Sequence, residues 1–454
     1  MKRPNVVVFF TDQQRFDTTG VHGNPLGLTP NFDRMAREGT HFFNTFTPQP
    51  VCLPCRAVLQ TGQYASKIGI YNNAGGLDAE TETVGSRFKE AGYNTAYIGK
   101  WHIFNSDTHG KDDRVPPEYR RGYDYWLGAN TVELHTDAYY STLYDGEGRE
   151  VFLPGYRADA YADAAIRYIH GQKDEDRPFF LFLSFLEPHF QNTRDDYPAP
   201  TGYEEQYVDA WTPPDLKTLV GTAPRHLPGY YGMVKRLDEA LGRVQDALRS
   251  MNMLDDTIIV FTTDHGCHFK TRNSEYKRSC HDASIRIPMA VTGPGFNGGR
   301  QVRDPVSLID LPPTLLNACN IPVPETMQGR SMLPLVRQQA EDWPEEAYVE
   351  VFDLAMERCV RTQRWMYGIR RTVEGVDLSQ GWSFNAAYLY DQKADPWQLE
   401  NLIGAKEYAD VEAVMKERLI RRMEEAGEPR PEIIPAPERK IAQRRRLFAH
   451  EKLD

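Results

Sequence analysis

The sequence predicts an α/β protein with a mostly parallel central sheet flanked by helices, followed by a smaller C-terminal antiparallel sheet plus a helix. Three observations predict it: short apolar runs that end in polar residues, helix-period segments between those runs, and a change of texture after Val336. With 40% hydrophobic and 26% charged residues the composition is that of a folded globular protein, and 454 residues exceed what one small core holds.

"NVVVFFTDQQ", starting at Asn5, opens with the run Val6 to Phe10 and stops at Thr11, Asp12, Gln13 and Gln14. The run is too short for a signal core or a membrane span and reads as a buried strand. "TAYIG" at Thr95, "FFLFLSF" at Phe179 and "TIIVFTTDHG" at Thr257 are strands of the same kind. "TPNFDRMAREG", "VGSRFKEAG" and "LDEALGRVQDALRSM" carry apolar residues at helical spacing. Doubly buried strands alternating with helices pair in parallel, and functional groups collect at their carboxyl ends. Here those ends lead into Asp12, the pair Lys100 and His102, the pair Asp264 and His265, and, after a short stretch, Glu187 and His189.

Beyond "MQGRSMLPLV" the segments "AYVEVF", "CVRTQRWMYGIRR" and "AAYLYD" are short strands without helices between them, backed by the charged helix "VEAVMKERLIRRMEEAG". A boundary near residue 336 therefore divides a catalytic α/β region, 1–336, from a smaller α+β region, 337–454. The basic end "PERKIAQRRRLFAHEKLD" is either a solvated extension or an arm for a neighbouring subunit.

A net charge of −11 gives no general attraction for nucleic acid or an anionic membrane, so neither is an expected partner. The six cysteines are scattered without a disulfide-framework spacing, which places the protein in a reducing compartment, the cytoplasm. Whether the protein forms oligomers is open at this stage.

The stretch "PVCLPCRAVLQTG", Pro50 to Gly62, holds a C-x-x-C pair. Such a pair serves redox chemistry, half of a zinc site, or neither. A redox pair normally opens a helix in a short βαβ unit, whereas this one follows a proline-punctuated loop. The zinc partners on offer, Cys267, His268, Cys280 and His281, are distant and irregularly spaced. A non-catalytic zinc or redox protein is the reading these alternatives leave.

Cys52-Leu53-Pro54-Cys55-Arg56, with Leu59, Thr61 and Gly62, resembles the signature of the type I sulfatases in the alkaline phosphatase superfamily. The resemblance extends to "TPNFDRMAREGTHFFNTFT", "AGYNTAYIGKWH", "FTTDHG", "SIRIP", "GRSMLPL" and "LYDQKADPWQLENL", nearly the whole chain. It implies an alkaline-phosphatase-like fold and hydrolysis of a small-molecule or saccharide sulfate ester. It also implies that a formylglycine-generating maturation enzyme oxidises Cys52 to formylglycine, whose hydrate is the nucleophile. Cys55 departs from the serine most common at its position; maturation enzymes of the oxygen-dependent type tolerate this, but an unconverted Cys52 could pair with Cys55.

By the same resemblance Asp12, Gln13, Cys52, Asp264 and His265 hold one divalent metal, calcium by preference, with magnesium or manganese as substitutes. Oxygen donors suit such a hard cation, while His265 is an uncommon ligand for it. Lys100 and Lys277 bind the sulfate, Arg56 steadies the hydrate, His189 assists the leaving group and His102 takes the proton that releases sulfate. Arg286 is read as structural. A phosphonate monoester or phosphodiester hydrolase of the same superfamily is the nearest rival, and the Lys100 and His102 stretch favours the sulfatase. Asn130, His135, Tyr139 and Trp382 are candidates for surrounding sugar hydroxyls. His268, Lys270, Arg272 and His281 line a second anion pocket or are solvated loop charge.

Overall fold

A computed structural model describes residues 3–105, 113–352, 354–372 and 382–440. At its centre is a ten-stranded sheet. Five neighbouring strands, Thr257–Thr263, Asn5–Thr11, Phe179–Ser184, Asn94–Lys100 and Tyr125–Ala129, run parallel. Asn5–Thr11 lies in the middle, with Val6 opposite Phe180 on one side and Ile258 on the other. Every residue of this strand is buried, as the unbroken apolar run requires. Antiparallel strands close both sides, Ser141–Tyr144 with Glu150–Leu153 at one end and Ala290–Thr292 near the other.

Side chains alternate between two cores, one on each face of the sheet. Val6, Val8, Phe10, Phe180 and Phe182 share one with Leu59, Phe88 and Leu315 from flanking helices. Val7, Phe9, Leu181, Ile259 and Phe261 share the other with Phe32, Ala165 and Leu241, whose helices are Pro30–Glu38, Arg157–Gly171 and Ala223–Ser250.

The second large sheet has five strands, Glu346–Phe352, Ala355–Thr362, Trp365–Thr372, Ser383–Asp391 and Glu432–Ile434. The first four form the expected antiparallel meander, while the last pairs in parallel with Ser383–Asp391. The helix Ala409–Ala426 forms the crossover that parallel pairing needs. Its Val411, Met415, Leu419 and Met423 pack on Val360, Trp365 and Tyr367, in a cluster that also takes in Val58, Tyr64 and Ile309. Phe46, Cys280 and Ile285 likewise pack with Val349, Cys359 and Met366. Apolar clusters therefore span the position near residue 336. A three-stranded sheet of very short strands, Arg286–Ile287, Thr45–Phe46 and Val306–Ser307, has too little length to show a period in the sequence. Most of the basic tail, 441–454, lies outside the described residues. Among the described residues no helix is long and apolar enough to cross a membrane.

Candidate active site

Four adjacent parallel strands deliver the polar residues to one edge of the central sheet. Asp264 and His265 follow Thr257–Thr263, Asp12 and Gln13 follow Asn5–Thr11, His189 lies beyond Phe179–Ser184, and Lys100 ends Asn94–Lys100. Cys52 opens the helix Cys52–Thr61 at the same edge and is 1% exposed. Gly99 has φ +106, and a Cβ on it would lie 1.8 Å from the Ser184 carbonyl oxygen. Only glycine lets the lysine strand close on its neighbour there. Gln13 (φ 66) and His102 (φ 56) adopt left-handed backbone, a strained conformation for such residues that concentrates at functional sites.

Asp12, Cys52, Asp264 and His265 each offer a donor atom, all within 4.8 Å of one another. His265 Nδ1 lies 3.0 Å from the Gly266 carbonyl oxygen. A carbonyl can only accept, so Nδ1 carries the proton and the Nε2 lone pair faces the cluster, 3.3 Å from Cys52 Sγ and 3.5 Å from Asp264 Oδ1. Gln13 Nε2 donates to Tyr197 Oη at 2.9 Å, and Gln13 Oε1 is buried and, among the described residues, has no hydrogen-bond partner. An orphaned carbonyl oxygen beside two carboxylates is what a cation site with oxygen ligands requires, so this donor set fits a hard divalent ion. Burial and the facing Asp12 push the Asp264 carboxyl up to about 6.

Arg56 reaches the acidic residues of the cluster. Its Nη2 donates to Asp12 Oδ2 at 2.9 Å, its Nε lies 3.4 Å from Asp264 Oδ2, and its Nη1 donates to Ser184 Oγ and to the Lys100 carbonyl. The guanidinium thus locks the two carboxylates. Lys277 Nζ lies 2.8 Å from Cys52 Sγ and 3.0 Å from His189 Nε2. His189 Nδ1 donates to the Phe190 carbonyl, which leaves Nε2 as the acceptor from Lys277. Burial and the Lys277 charge lower the His189 pKa. Lys100, fully buried, bridges Asp12 Oδ2 at 2.9 Å and Glu133 Oε1 at 3.0 Å. His102 Nδ1 stands 3.6 Å from the same Glu133 oxygen. Burial opposes ionisation of Cys52, yet the charges of Lys100 and Lys277 hold the thiol well below its usual range.

Every proposed site residue therefore lies at this edge. Glu133 and Ser184 were missed. Glu133 follows the strand Tyr125–Ala129, so the strand-end rule finds it once "YWLGA" is read as a strand.

The basic loop is divided: His268 and His281 are buried, and Lys270 and Arg272 are part-buried. His268 is buried and bonds the Lys277 carbonyl, Lys270 pairs with Asp195, Arg272 donates to the carbonyls of Trp397 and Gln398, and His281 meets Tyr390 Oη. Arg286 is structural, with its guanidinium over the Phe16 and Phe43 rings. Trp382 packs with the C-terminal core, and Tyr139 is 49% exposed against Tyr156. Asn130 does border a cavity beside His102. Cys52 and Cys55 are free thiols, and Cys55 Sγ donates to the Asp264 carbonyl. Among the described residues the metal-capable group contains one cysteine, which does not match a structural zinc site.

The family model described as Sulfatase matches residues 4–321, and that for the N-sulphoglucosamine sulphohydrolase C-terminal region matches 274–425. An ulvan-active sulfatase of Formosa agariphila is 31% identical over 94% of this chain and 82% of its own. An N-acetylglucosamine-6-O-sulfatase of Bacteroides thetaiotaomicron is 25% identical over 90% of this chain and 84% of its own. The solved phosphonate monoester hydrolase of Agrobacterium radiobacter shares the fold, with a TM-score of 0.66 and 21% identity over 93% of this chain and 96% of its own. The family match over most of the chain, with the anion-binding and acidic residues gathered at one sheet edge, gives the conclusion: this chain belongs to the type I sulfatase family of the alkaline phosphatase superfamily and is a sulfuric ester hydrolase.

Proposed function

We propose that the protein hydrolyses the sulfate monoester of a saccharide, using residue 52 as formylglycine and a divalent cation, calcium. The observation that carries this reading is the position of Cys52: its Sγ lies 2.8 Å from Lys277 Nζ and within the four-residue donor cluster. The sulfur stands in for the oxygen of the converted residue. Once converted, that residue supplies a hydrate with two hydroxyls, one to attack sulfur and one to release the sulfate. A cation held by Asp12, Gln13, residue 52, Asp264 and His265 supplies positive charge for the sulfate oxygens.

The chain's own residues account for the rest. Lys277 and Lys100 offset the charge of the sulfate and hold it in line with residue 52. Arg56 acts through Asp12 and Asp264, fixing the rotamers that aim both carboxylates at the cluster. His189 has its Nδ1 proton tied to the Phe190 carbonyl, so a proton delivered to the departing alkoxide must come from Nε2. When sulfate draws Lys277 toward itself, Nε2 is freed to carry that proton. His102, oriented by Glu133, accepts the proton whose removal expels sulfate. The N-acetylglucosamine-6-O-sulfatase relative supports a saccharide as the alcohol. The six free thiols favour the cytoplasm, where a maturation enzyme would act on residue 52.

The test combines labelling of residue 52 by an aldehyde-reactive hydrazide, metal analysis, and turnover of an aryl sulfate against an aryl phosphonate monoester. The reading predicts an aldehyde, calcium, faster sulfate turnover, and loss of turnover with retained fold in Cys52→Ala. A free thiol with stoichiometric zinc, or preference for the phosphonate, would overturn it.

A further inference from the structure

We infer that Glu133 determines specificity: its outer carboxylate oxygen accepts a hydrogen bond from a hydroxyl that the substrate carries on the carbon next to the sulfate ester. The inference rests on the sulfatase reading and deepens it.

Glu133 is 4% exposed, and its two oxygens have different surroundings. Oε1 is taken by Lys100 and faces His102. Oε2 is buried, and among the described residues it has no hydrogen-bond partner. Burial works to raise its pKa, but Lys100, His102 and His189 outweigh that and hold it at about 2, so the group is an anion at neutral pH. A buried carboxylate oxygen without a donor is costly, which makes a donor supplied by the ligand its natural complement.

Glu133 also lines a cavity of about 240 Å³, together with His102, Asn73, Asn130, Thr131 and Asn192. Amides and a hydroxyl supply the uncharged polar part of these walls beside Leu53, Phe104 and Leu134, and among the described residues no lysine or arginine lines the cavity. Such walls suit alcohol hydroxyls, whereas a second sulfate there would meet an uncompensated carboxylate. Position fixes which hydroxyl is read. Lys100 spans from Asp12 to Glu133 Oε1, so the Glu133 carboxylate stands one lysine head away from the cation cluster. With sulfate on Lys100 and Lys277, the alcohol carbon nearest Glu133 is the one adjoining the ester.

The experiment compares kcat/KM for catechol monosulfate, 2-methoxyphenyl sulfate and phenyl sulfate on formylglycine-bearing enzyme, for wild type, Glu133→Gln and Glu133→Ala. Catechol monosulfate presents a neighbouring donor, and the methoxy compound replaces it by an acceptor of similar shape. Wild type should prefer the former by about 10- to 100-fold, the range of one charge-assisted hydrogen bond. In Glu133→Gln, Lys100 retains the amide oxygen and turns Nε2 into the cavity, so the preference should vanish or reverse. Glu133→Ala should also remove it. If Glu133 only holds Lys100 and His102, all three substrates lose rate equally and the ratio is unchanged, which overturns the inference. So does a wild-type ratio near one, a result that needs no variant to fold. Failure to hydrolyse any of the three sulfates is a separate outcome and defeats the reading of the site beneath it.

Discussion

Arg56→Met is the sharpest test of how the acidic cluster is held. In the wild type the guanidinium meets Asp12 at 2.9 Å and Asp264 at 3.4 Å, bonds Ser184 Oγ at 2.8 Å, and is 3% exposed. Methionine fills much of the volume and removes the charge. Asp12 keeps Lys100 at 2.9 Å, but Asp264 is left with His265 at 3.5 Å and with Asp12 itself as a like charge. Breaking one partner out of a buried ion pair costs about 3–5 kcal/mol. Unfolding entropy of about 2.1 cal/mol/K per residue makes 1 kcal/mol worth close to 1 °C for 454 residues, so Tm should fall by about 3–5 °C in chelator. Thermal unfolding followed by circular dichroism, with and without calcium, measures this. Calcium should raise Tm more in Arg56→Met than in wild type, because it meets carboxylates with less compensation. An unchanged Tm in chelator would refute the argument, since it would mean that the two carboxylates do not depend on Arg56 for their charge balance.

Lys277→Ala removes the cation at residue 52 and the donor to His189 Nε2, so kcat/KM for an aryl sulfate should drop by at least about 100-fold, the loss seen when one transition-state donor is removed; a drop below tenfold in steady-state assays would place sulfate binding elsewhere. Asp238, whose carboxylate accepts from the backbone N–H groups of Asn31 and Phe32, is pushed by burial up to about 6. The folded chain therefore holds a proton that the unfolded chain releases near pH 4. This makes stability decline as pH rises from about 4 to 6, by up to about 3 kcal/mol. Urea titrations across that window should show the decline in the difference between wild type and Asp238→Asn, and parallel curves would contradict the assignment.

What the sequence revealed depended on whether a residue's role is local. Asp12, Gln13, Asp264 and His265 each follow an apolar run directly, so a strand end carrying donors is visible in a few letters. Cys52 and Arg56 share one helix turn and a motif. The protein partners of Arg56 were not legible. Its place on a helix says nothing about which strand ends the guanidinium reaches, and it reaches carboxylates on two strands at once. The loop after His265 looked like solvated charge for a similar reason. His268 Nε2 meets the Lys277 carbonyl within the same loop, and His281 Nε2 meets Tyr390 Oη, a partner that the packing of the second sheet brings into reach.

Glu133 shows the same limit at its most consequential. Its strand, Tyr125–Ala129, mixes aromatic residues with glycine and lacks the aliphatic run that exposed the others, so Glu133 was not read as lying beyond a strand end. Adjacency in a parallel sheet is set by strand order, and Tyr125–Ala129 pairs with Asn94–Lys100 in register, Lys100 opposite Ala129. That pairing brings Glu133 alongside the lysine and places His102 within reach of the same carboxylate. Several of the residues proposed to act on the sulfate, Lys100 and His189 among them, sit at or beyond strand ends and are written locally. The residue proposed here to read the alcohol is placed by the pairing of one further strand, so substrate choice can change through that strand and its loop while the sulfate-binding residues stay as they are.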